Sequence, residues 1–210
     1  MANTSATGGY LSPAASPAPS EDAALEDIFQ SAIVGVTSMD GKLVRPRWQP
    51  KPPKQPSADT DWIAFGVIRQ TPDASPYIEH NGGGVGKDTM KRHEDIELAI
   101  TCYGPNGSKY AAILRDSFWL PQNNEGLNAH GISFVDGHEM RPFPELVNQQ
   151  WVRRHDITLR FRREVVRDYA ILNIEAADVG LIDDAGRVND TIVIDNRPPT
   201  PPTPEPEPEN

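Results

Sequence analysis

The sequence lacks both a pair of cysteines and a long apolar run. Its one cysteine, Cys102, excludes a disulfide framework within the chain and leaves a thiolate metal site with too few ligands. No run approaches the roughly 18 apolar residues that a transmembrane helix needs. Residues 1–20 have neither the basic start nor the apolar core of a signal peptide. We therefore expect neither a disulfide-stabilised secreted domain nor a membrane partner.

Basic residues are scarce relative to acidic ones. The 20 Lys and Arg face 30 Asp and Glu, for a net charge of −10. This balance argues against a general nucleic-acid binder, because such proteins are basic. Apolar residues make up 37% of the chain, and 16 glycines bring the comparable fraction close to that of ordinary globular proteins. A packed core is therefore expected, and 210 residues predict one domain with tails, at about 150 residues per domain.

The placement of the 21 prolines divides the chain. Residues 1–19 are small, Gly- and Pro-rich and uncharged, which predicts a flexible arm. Residues 197–210, hereafter the Pro/Glu segment, contain seven prolines and three glutamates, a composition that favours extended polyproline II or disorder. Between them we expect a single α+β domain over residues 20–196.

A second proline-rich stretch, LVRPRWQPKPPKQP, lies inside the predicted domain at residues 43–56 and is hereafter called the proline-rich arm. Its five prolines exclude a helix or a central strand. It contains four basic residues and no Asp or Glu. One interpretation is a surface linker. The other is an ordered arm that lies on a neighbouring subunit, since preset φ angles lower the entropy cost of ordering it.

Apolar spacing predicts two main helices. The first covers Ser20–Val36 with Ser20 as its cap, and the second begins at Ser108 and stops at Pro121. A short helix is predicted over 124–129, and a turn over 145–147.

Strands are predicted at 62–68, 94–102, 132–135, 151–166, 169–175 and 188–194. The run Trp62–Ile68 is continuous and predicts a strand buried on both faces, whereas 94–102 alternates as a half-buried strand does. The fold class that follows is α+β, with a mostly antiparallel sheet flanked by two main helices, an extended proline-rich arm and disordered-like termini.

No catalytic, cofactor or metal residue is predicted. The loop NGGGVGKD at 81–88 resembles a phosphate loop only at Gly86-Lys87, because Asn81 and Asp88 replace the required Gly and Ser/Thr. The histidines have no paired helical spacing and are expected at the surface: His80, His93, His130, His138 and His155. Cys102 lies on the inward face of its strand, so an inert buried thiol is expected.

Basic residues concentrate near one predicted strand. Seven arginines lie between residues 141 and 167, and Arg154, Arg160 and Arg162 fall on the strand face opposite the apolar residues. One interpretation is a solvated outer face. The other is a face that meets the acidic surface of an identical neighbour, which would build a head-to-tail ring.

Several segments together resemble the neck or tail terminator proteins of tailed bacteriophages. They are TGGYLSP (7–13), VRPRWQPKPPKQP (44–56), WIAFGV (62–67), YGPNG (103–107), RDSFWLPQNNEGL (115–127) and ELVNQQWVRRHDITLRFRREVVRDY (145–169). Their order and the unusual proline-rich arm carry the resemblance, and none is a catalytic signature.

The resemblance implies a structural protein of the virion neck, assembled in the host cytoplasm. Such proteins form a ring, commonly of six copies, that ends the tail tube and docks to the head. The implied partners are further copies of the chain, head connector or adaptor proteins, tail tube or sheath proteins, and phage DNA in transit. The alternatives are another virion structural protein, such as a connector adaptor or tail-tube subunit, and a small nucleotide-binding enzyme that uses loop 81–88.

We expect the subunit contacts to involve the proline-rich arm and the arginine-rich strand. The predicted interface residues are Arg45, Arg47, Trp48, Pro52, Pro53, Arg154, Arg160 and Arg162. Replacing Arg160 and Arg162 with glutamate is predicted to leave the fold intact, because exposed charges cost little there, and to block ring formation.

Overall fold

The computed structural model describes residues 9–83, 86–147, 149–172, 176–182, 186 and 188–195. The Pro/Glu segment, predicted to be extended or disordered, lies outside the described residues. So do the first eight residues of the arm predicted over 1–19. The chain divides into two compact units. The larger comprises Ala18–Tyr77 and Lys91–Val166, and the smaller comprises Met1–Pro17, Ile78–Met90 and Arg167–Asn210. Cooperative folding of 20–196 as one domain stays a prediction.

The helices are α1 (Asp22–Thr37), α2 (Gly107–Ser117) and the single turn α3 (Glu125–Asn128). All three predicted helices are present. The predicted caps are wrong, because Glu21 precedes α1 and Asn106 precedes α2, neither with a side-chain cap bond. Pro121 begins a 3₁₀ turn rather than ending a helix.

The strands follow in chain order: β1 (Val44–Pro46), β2 (Trp62–Pro72), β3 (Tyr77–Asn81), β4 (Lys87–Tyr103), β5 (Ile132–Gly137), β6 (Arg141–Pro142), β7 (Glu145–Val147), β8 (Gln150–Val152), β9 (Arg154–Ala170), β10 (Ala176–Ile182) and β11 (Val188–Asp195). The long strand predicted at 151–166 is divided between β8 and β9, and the turn predicted at 145–147 is β7. The strand predicted at 169–175 is present only as the end of β9, and residues 173–175 lie outside the described residues.

The sheet of the larger unit has the order β1-β2-β4-β9-β5, with β6 also beside β9. β1 runs parallel to β2, whereas β2–β4, β5–β9 and β6–β9 are antiparallel. β7 and β8 form a separate antiparallel hairpin. In the smaller unit β3 pairs with β4, and β10 pairs antiparallel with β11. The predicted α+β class with a mostly antiparallel sheet is confirmed.

One face of this sheet packs against α1 and α2 and forms the core. Alternate residues of each strand point inward, as the period of two requires, and Phe161 of β9 lies at the centre. Its ring centroid is 5.1 Å from that of Phe29 in α1 and 5.6 Å from those of Phe118 and Phe134. β2 is fully buried at Ile63 and Phe65 on the inner face, whereas Trp62 and Ala64 are only half-buried on the other face. The prediction that the whole strand is buried on both faces is therefore wrong.

A buried ion pair interrupts the apolar inner face. Arg163 of β9 is 3% exposed and is paired with the buried carboxylate of Glu94 in β4. It also donates to the Ser20 carbonyl at 2.5 Å and to the Glu21 carboxylate at 2.8 Å. This arginine therefore ties the start of α1 to two central strands.

Cys102 is fully buried in β4, and burial raises the pKa of its thiol to about 12. Because only the thiolate reacts readily, we expect negligible labelling by Ellman's reagent at pH 8 in the folded protein. Complete labelling in denaturant is the positive control. Rapid labelling without denaturant would contradict the burial of Cys102.

Within the described residues, no helix is long and apolar enough to cross a membrane.

Candidate functional site

A groove lies between the proline-rich arm and the outer face of the sheet, and its volume is about 490 Å³. The arm begins as β1, which lies at the edge of the sheet. Proline has no backbone N–H to donate, and an edge strand tolerates this at Pro46 because it has a neighbour on one side only. The main chain then turns at Trp48, whose φ is +57°. The groove is lined by Arg45, Pro46, Arg47, Trp48, Gln49, Pro52, Pro53, Gln55, Trp62, Ala64, Thr101, Tyr103, Glu145 and Arg154.

Arg45 holds the arm in its bent path. Its Nε donates to the carbonyl of Lys42 at 2.7 Å, and its Nη1 donates to the carbonyl of Lys54 at 2.9 Å. The guanidinium also lies 5.8 Å from the centre of the Trp62 ring, within the range of a cation–π contact. A backbone bond from Arg47 to Phe65, 2.7 Å long, fastens the arm to β2.

The Trp48 ring rests directly on the backbone of Gly66 in β2. A Cβ added to Gly66 would lie 2.6 Å from Cζ3 of Trp48, closer than carbon atoms can approach. Glycine at this position therefore lets the arm lie against the sheet, while 67% of Trp48 remains exposed.

Replacing Gly66 with alanine should displace the Trp48 ring and lower the free energy of unfolding by about 1–3 kcal/mol, as overpacking does. Tryptophan fluorescence and urea denaturation measure the two effects. Gly35→Ala is the matched control, because a Cβ there meets nothing within 4 Å and alanine favours the helix. Unchanged fluorescence in Gly66→Ala would contradict the contact.

The floor of the groove is a chain of polar contacts. The Arg47 guanidinium donates to the Thr101 hydroxyl, which donates to the Asp156 carboxylate at 2.8 Å. Arg154 adds a bidentate pair to the same carboxylate at 3.0 and 2.8 Å. Burial alone would raise the pKa of Asp156, but the hydrogen bonds and charges of its partners outweigh it and hold that pKa below its ordinary value. Asp156 therefore stays ionised and fixes both arginines.

Aromatic rings form one wall. Trp62 stacks on Tyr103 with centroids 4.2 Å apart and planes 4° from parallel. The Arg154 guanidinium lies 6.0 Å from the Tyr103 ring and 5.8 Å from the Phe143 ring. The groove thus combines flat aromatic faces with arginines, a chemistry suited to binding another polypeptide.

Six of the eight predicted interface residues line this groove: Arg45, Arg47, Trp48, Pro52, Pro53 and Arg154. Their role as subunit contacts stays a prediction. Trp62, Thr101 and Tyr103 also line the groove and are not among the residues predicted from the sequence. Strand alternation was the available signal, because it places Trp62 on the face opposite Ile63.

Arg160 and Arg162 lie on the same outer face, but each is already paired within the chain. Arg160 contacts Asp136 at 2.6 Å, and Arg162 contacts Asp73 at 2.8 Å and Asp95 at 2.9 Å. Their charges are thus neutralised within the chain, as that of Arg154 is by Asp156, and their role as subunit contacts stays a prediction. The acids that pair with Arg160 and Arg162 come from adjacent strands and the turn after β2.

This pairing also revises the expected effect of the glutamate substitutions on the fold. In Arg162→Glu a new carboxylate would face Asp73 and Asp95, so the free energy of unfolding should fall. Urea denaturation at low salt measures the loss, and added salt should reduce it. A matched Arg153→Glu change, on an exposed side chain, should cost less. Equal stability of the two variants would contradict the intramolecular pairing.

The β7–β8 hairpin carries two exposed apolar side chains. Trp151 is 71% exposed and stands opposite Leu146, which is 58% exposed. Glu145 connects the hairpin to the groove through a contact of 3.5 Å with Arg154. Phe143, also 58% exposed, lies beside Arg154.

The described residues of loop 81–88 do not show the strand–loop–helix arrangement of a phosphate loop. Lys87 begins strand β4 instead of a helix, and its ammonium contacts Asp168 at 3.0 Å. Asp88 is paired with His80 at 2.8 Å. Residues 84 and 85 lie outside the described residues. In the described ranges no group of three or more His, Cys, Asp and Glu is placed to hold a metal ion.

A comparison with curated proteins finds no match. A family model described as phage neck terminator protein matches residues 23–186, which include α1 from its second residue, all of α2, the proline-rich arm and every residue of the groove. The chain therefore belongs to the phage neck terminator protein family and is a structural protein of the phage neck.

Proposed function

We propose that the chain forms a homo-oligomeric ring, of six copies, that terminates the tail and joins it to the head connector. DNA passes through the lumen of this ring. Membership of the neck terminator family supports the place in the particle. The proposed neighbours are head connector or adaptor proteins on one side and tail tube or sheath proteins on the other.

The observation that carries the proposal is the exposure of large apolar side chains at the groove and on the β7–β8 hairpin. Trp48 at the groove and Leu146 and Trp151 on the hairpin are all more than half exposed. Large apolar side chains grouped in this way mark interaction surfaces, and tryptophan and arginine are the residues that most often dominate binding energy. One such surface, which meets a different surface of the next copy, gives the head-to-tail contact that closes a ring.

The charge of the chain suits a channel for DNA. The net charge is −10, whereas proteins that grip DNA neutralise its phosphates with basic residues. An acidic ring would let DNA pass with little retention. The clustered arginines of the outer face are largely paired with acids of the same chain and add little free positive charge.

Deletion of the gene from its phage tests the proposal. Negative-stain microscopy of lysates should show DNA-filled heads beside separate tails, and the wild-type gene supplied in trans should restore joined particles. Heads with no tails at all would favour a tail-tube subunit instead. Intact joined particles without the protein would overturn the proposal.

Ring formation has its own measurement. Native mass spectrometry of the purified full chain, alone and with isolated tails, should detect a closed oligomer of one discrete mass. Ring-shaped projections in negative stain should accompany that mass. A chain that stays monomeric on assembled tails would contradict the ring while leaving the neck location untouched.

A further inference from the structure

Resting on the proposed ring, we propose that the groove binds the Pro/Glu segment, residues 197–210, of a neighbouring copy. The segment would clasp adjacent subunits together. The inference deepens the proposed function because it names the occupant of the groove.

The shape of the groove suits a proline-rich chain. Grooves that bind polyproline II segments are lined by aromatic rings, between which proline rings pack. Here the stacked pair of Trp62 and Tyr103 forms one wall, and Trp48 stands on Gly66 across the groove. Seven of the 14 residues in the Pro/Glu segment are proline, so its sequence favours the preset conformation that such grooves bind at low entropic cost.

The charges are complementary. The segment carries Glu205, Glu207 and Glu209, whereas the proline-rich arm carries four basic residues and no acid. Arg45 donates to main-chain carbonyls, and no ion pair found among the described residues involves Arg45, Lys51 or Lys54.

The acids of the groove itself are already occupied. Glu145 contacts Arg154, and Asp156 is bound by Arg154 and Thr101. The side chains of Arg45, Lys51 and Lys54 are therefore the positive charges that carboxylates of another chain would meet at the arm.

The length of the segment permits a reach between copies. Residues 196–210 follow β11, which ends at Asp195. In polyproline II a chain rises about 3.1 Å per residue, so the 14 residues of the segment span roughly 40 Å. A reach of that length is what a connection between neighbouring copies needs.

Carbodiimide cross-linking of the full chain tests the proposal, because the reagent joins a lysine ammonium only to a carboxylate in direct contact. Equal amounts of ¹⁴N- and ¹⁵N-labelled protein are mixed under conditions of ring formation, cross-linked and analysed by mass spectrometry. We expect mixed-label products that join Lys51 or Lys54 to Glu205, Glu207 or Glu209. Their yield should exceed tenfold that of products with Lys109, an exposed lysine of α2 that serves as the internal control.

The outcomes separate this inference from the ring itself. Native mass spectrometry of the same sample reports the oligomer: a ring whose Lys51 and Lys54 are cross-linked no more than Lys109 overturns the inference and leaves the proposed function standing. Products within one label only overturn the neighbouring copy as the source. A synthetic peptide of residues 197–210, added in excess, should reduce the mixed-label products at least tenfold, and no reduction would overturn docking in the groove.

Discussion

Replacing Arg163 with methionine should lower the free energy of unfolding by about 3–5 kcal/mol. The guanidinium is almost completely buried and is paired with Glu94, which is 7% exposed. Methionine fills a similar volume but leaves the Glu94 carboxylate without its partner in an apolar interior, where an unpaired charge is costly. The start of α1 loses its bonds to the sheet in the same change, since Ser20 and Glu21 also bind Arg163.

Urea denaturation followed by tryptophan fluorescence measures the loss. Arg162→Met is the matched control, because the neighbouring side chain points to the outer face, is 41% exposed and makes surface ion pairs. It should cost much less than Arg163→Met, because exposed ion pairs contribute little to stability. The double variant Arg163→Met with Glu94→Leu should recover much of the stability, because an apolar pair replaces an ion pair. Equal losses for Arg163→Met and Arg162→Met would contradict the burial of this pair.

Arg163 also shows where prediction from the sequence stopped. Alternation placed Ile157, Leu159 and Phe161 on one face, and the same period puts Arg163 next on that face. An arginine is rarely fully buried, so the residue type of Arg163 predicts an exposed side chain, whereas its position in the strand alternation predicts a buried one. Arg163 is buried, as the alternation predicts, because Glu94 on the adjacent strand supplies the opposite charge.

Local signals located the helices but not their first residues. Ser20 and Ser108 are both good caps in isolation. In the structure the backbone N–H of Asn106, just before α2, donates to Asp61 at 2.8 Å, and the Ser20 carbonyl accepts from Arg163. Both partners are distant in sequence, so tertiary contacts replace the local caps.

The proline-rich arm was recognisable from its sequence, but its position was not. Five prolines excluded a central strand, and β1 lies at the sheet edge. The parallel pairing of Val44 with Ile63 brings Arg45 and Trp48 near Trp62 and Arg154, residues that are far apart in the chain. No local pattern encodes this meeting, because it follows from the strand order of the whole sheet.

Replacing Trp151 with alanine should weaken association of the subunits at least 30-fold while leaving the fold stable. The side chain is 71% exposed, so its loss costs the isolated subunit little, within about 0.5 kcal/mol. A tryptophan at the centre of an interface contributes about 2 kcal/mol or more, which corresponds to that factor in Kd. The substitution also removes the Trp151 ring from its position opposite Leu146 on the hairpin.

Native mass spectrometry across a dilution series measures the association, and urea denaturation of the same sample measures the fold. Tyr77→Ala is the matched control, because Tyr77 is 62% exposed and lies on β3, outside the groove and the β7–β8 hairpin. A large loss for Trp151→Ala with none for Tyr77→Ala places the contact on the hairpin. Equal association of both variants with the wild type would remove the hairpin from the interface and leave the groove to be tested alone through Trp48→Ala.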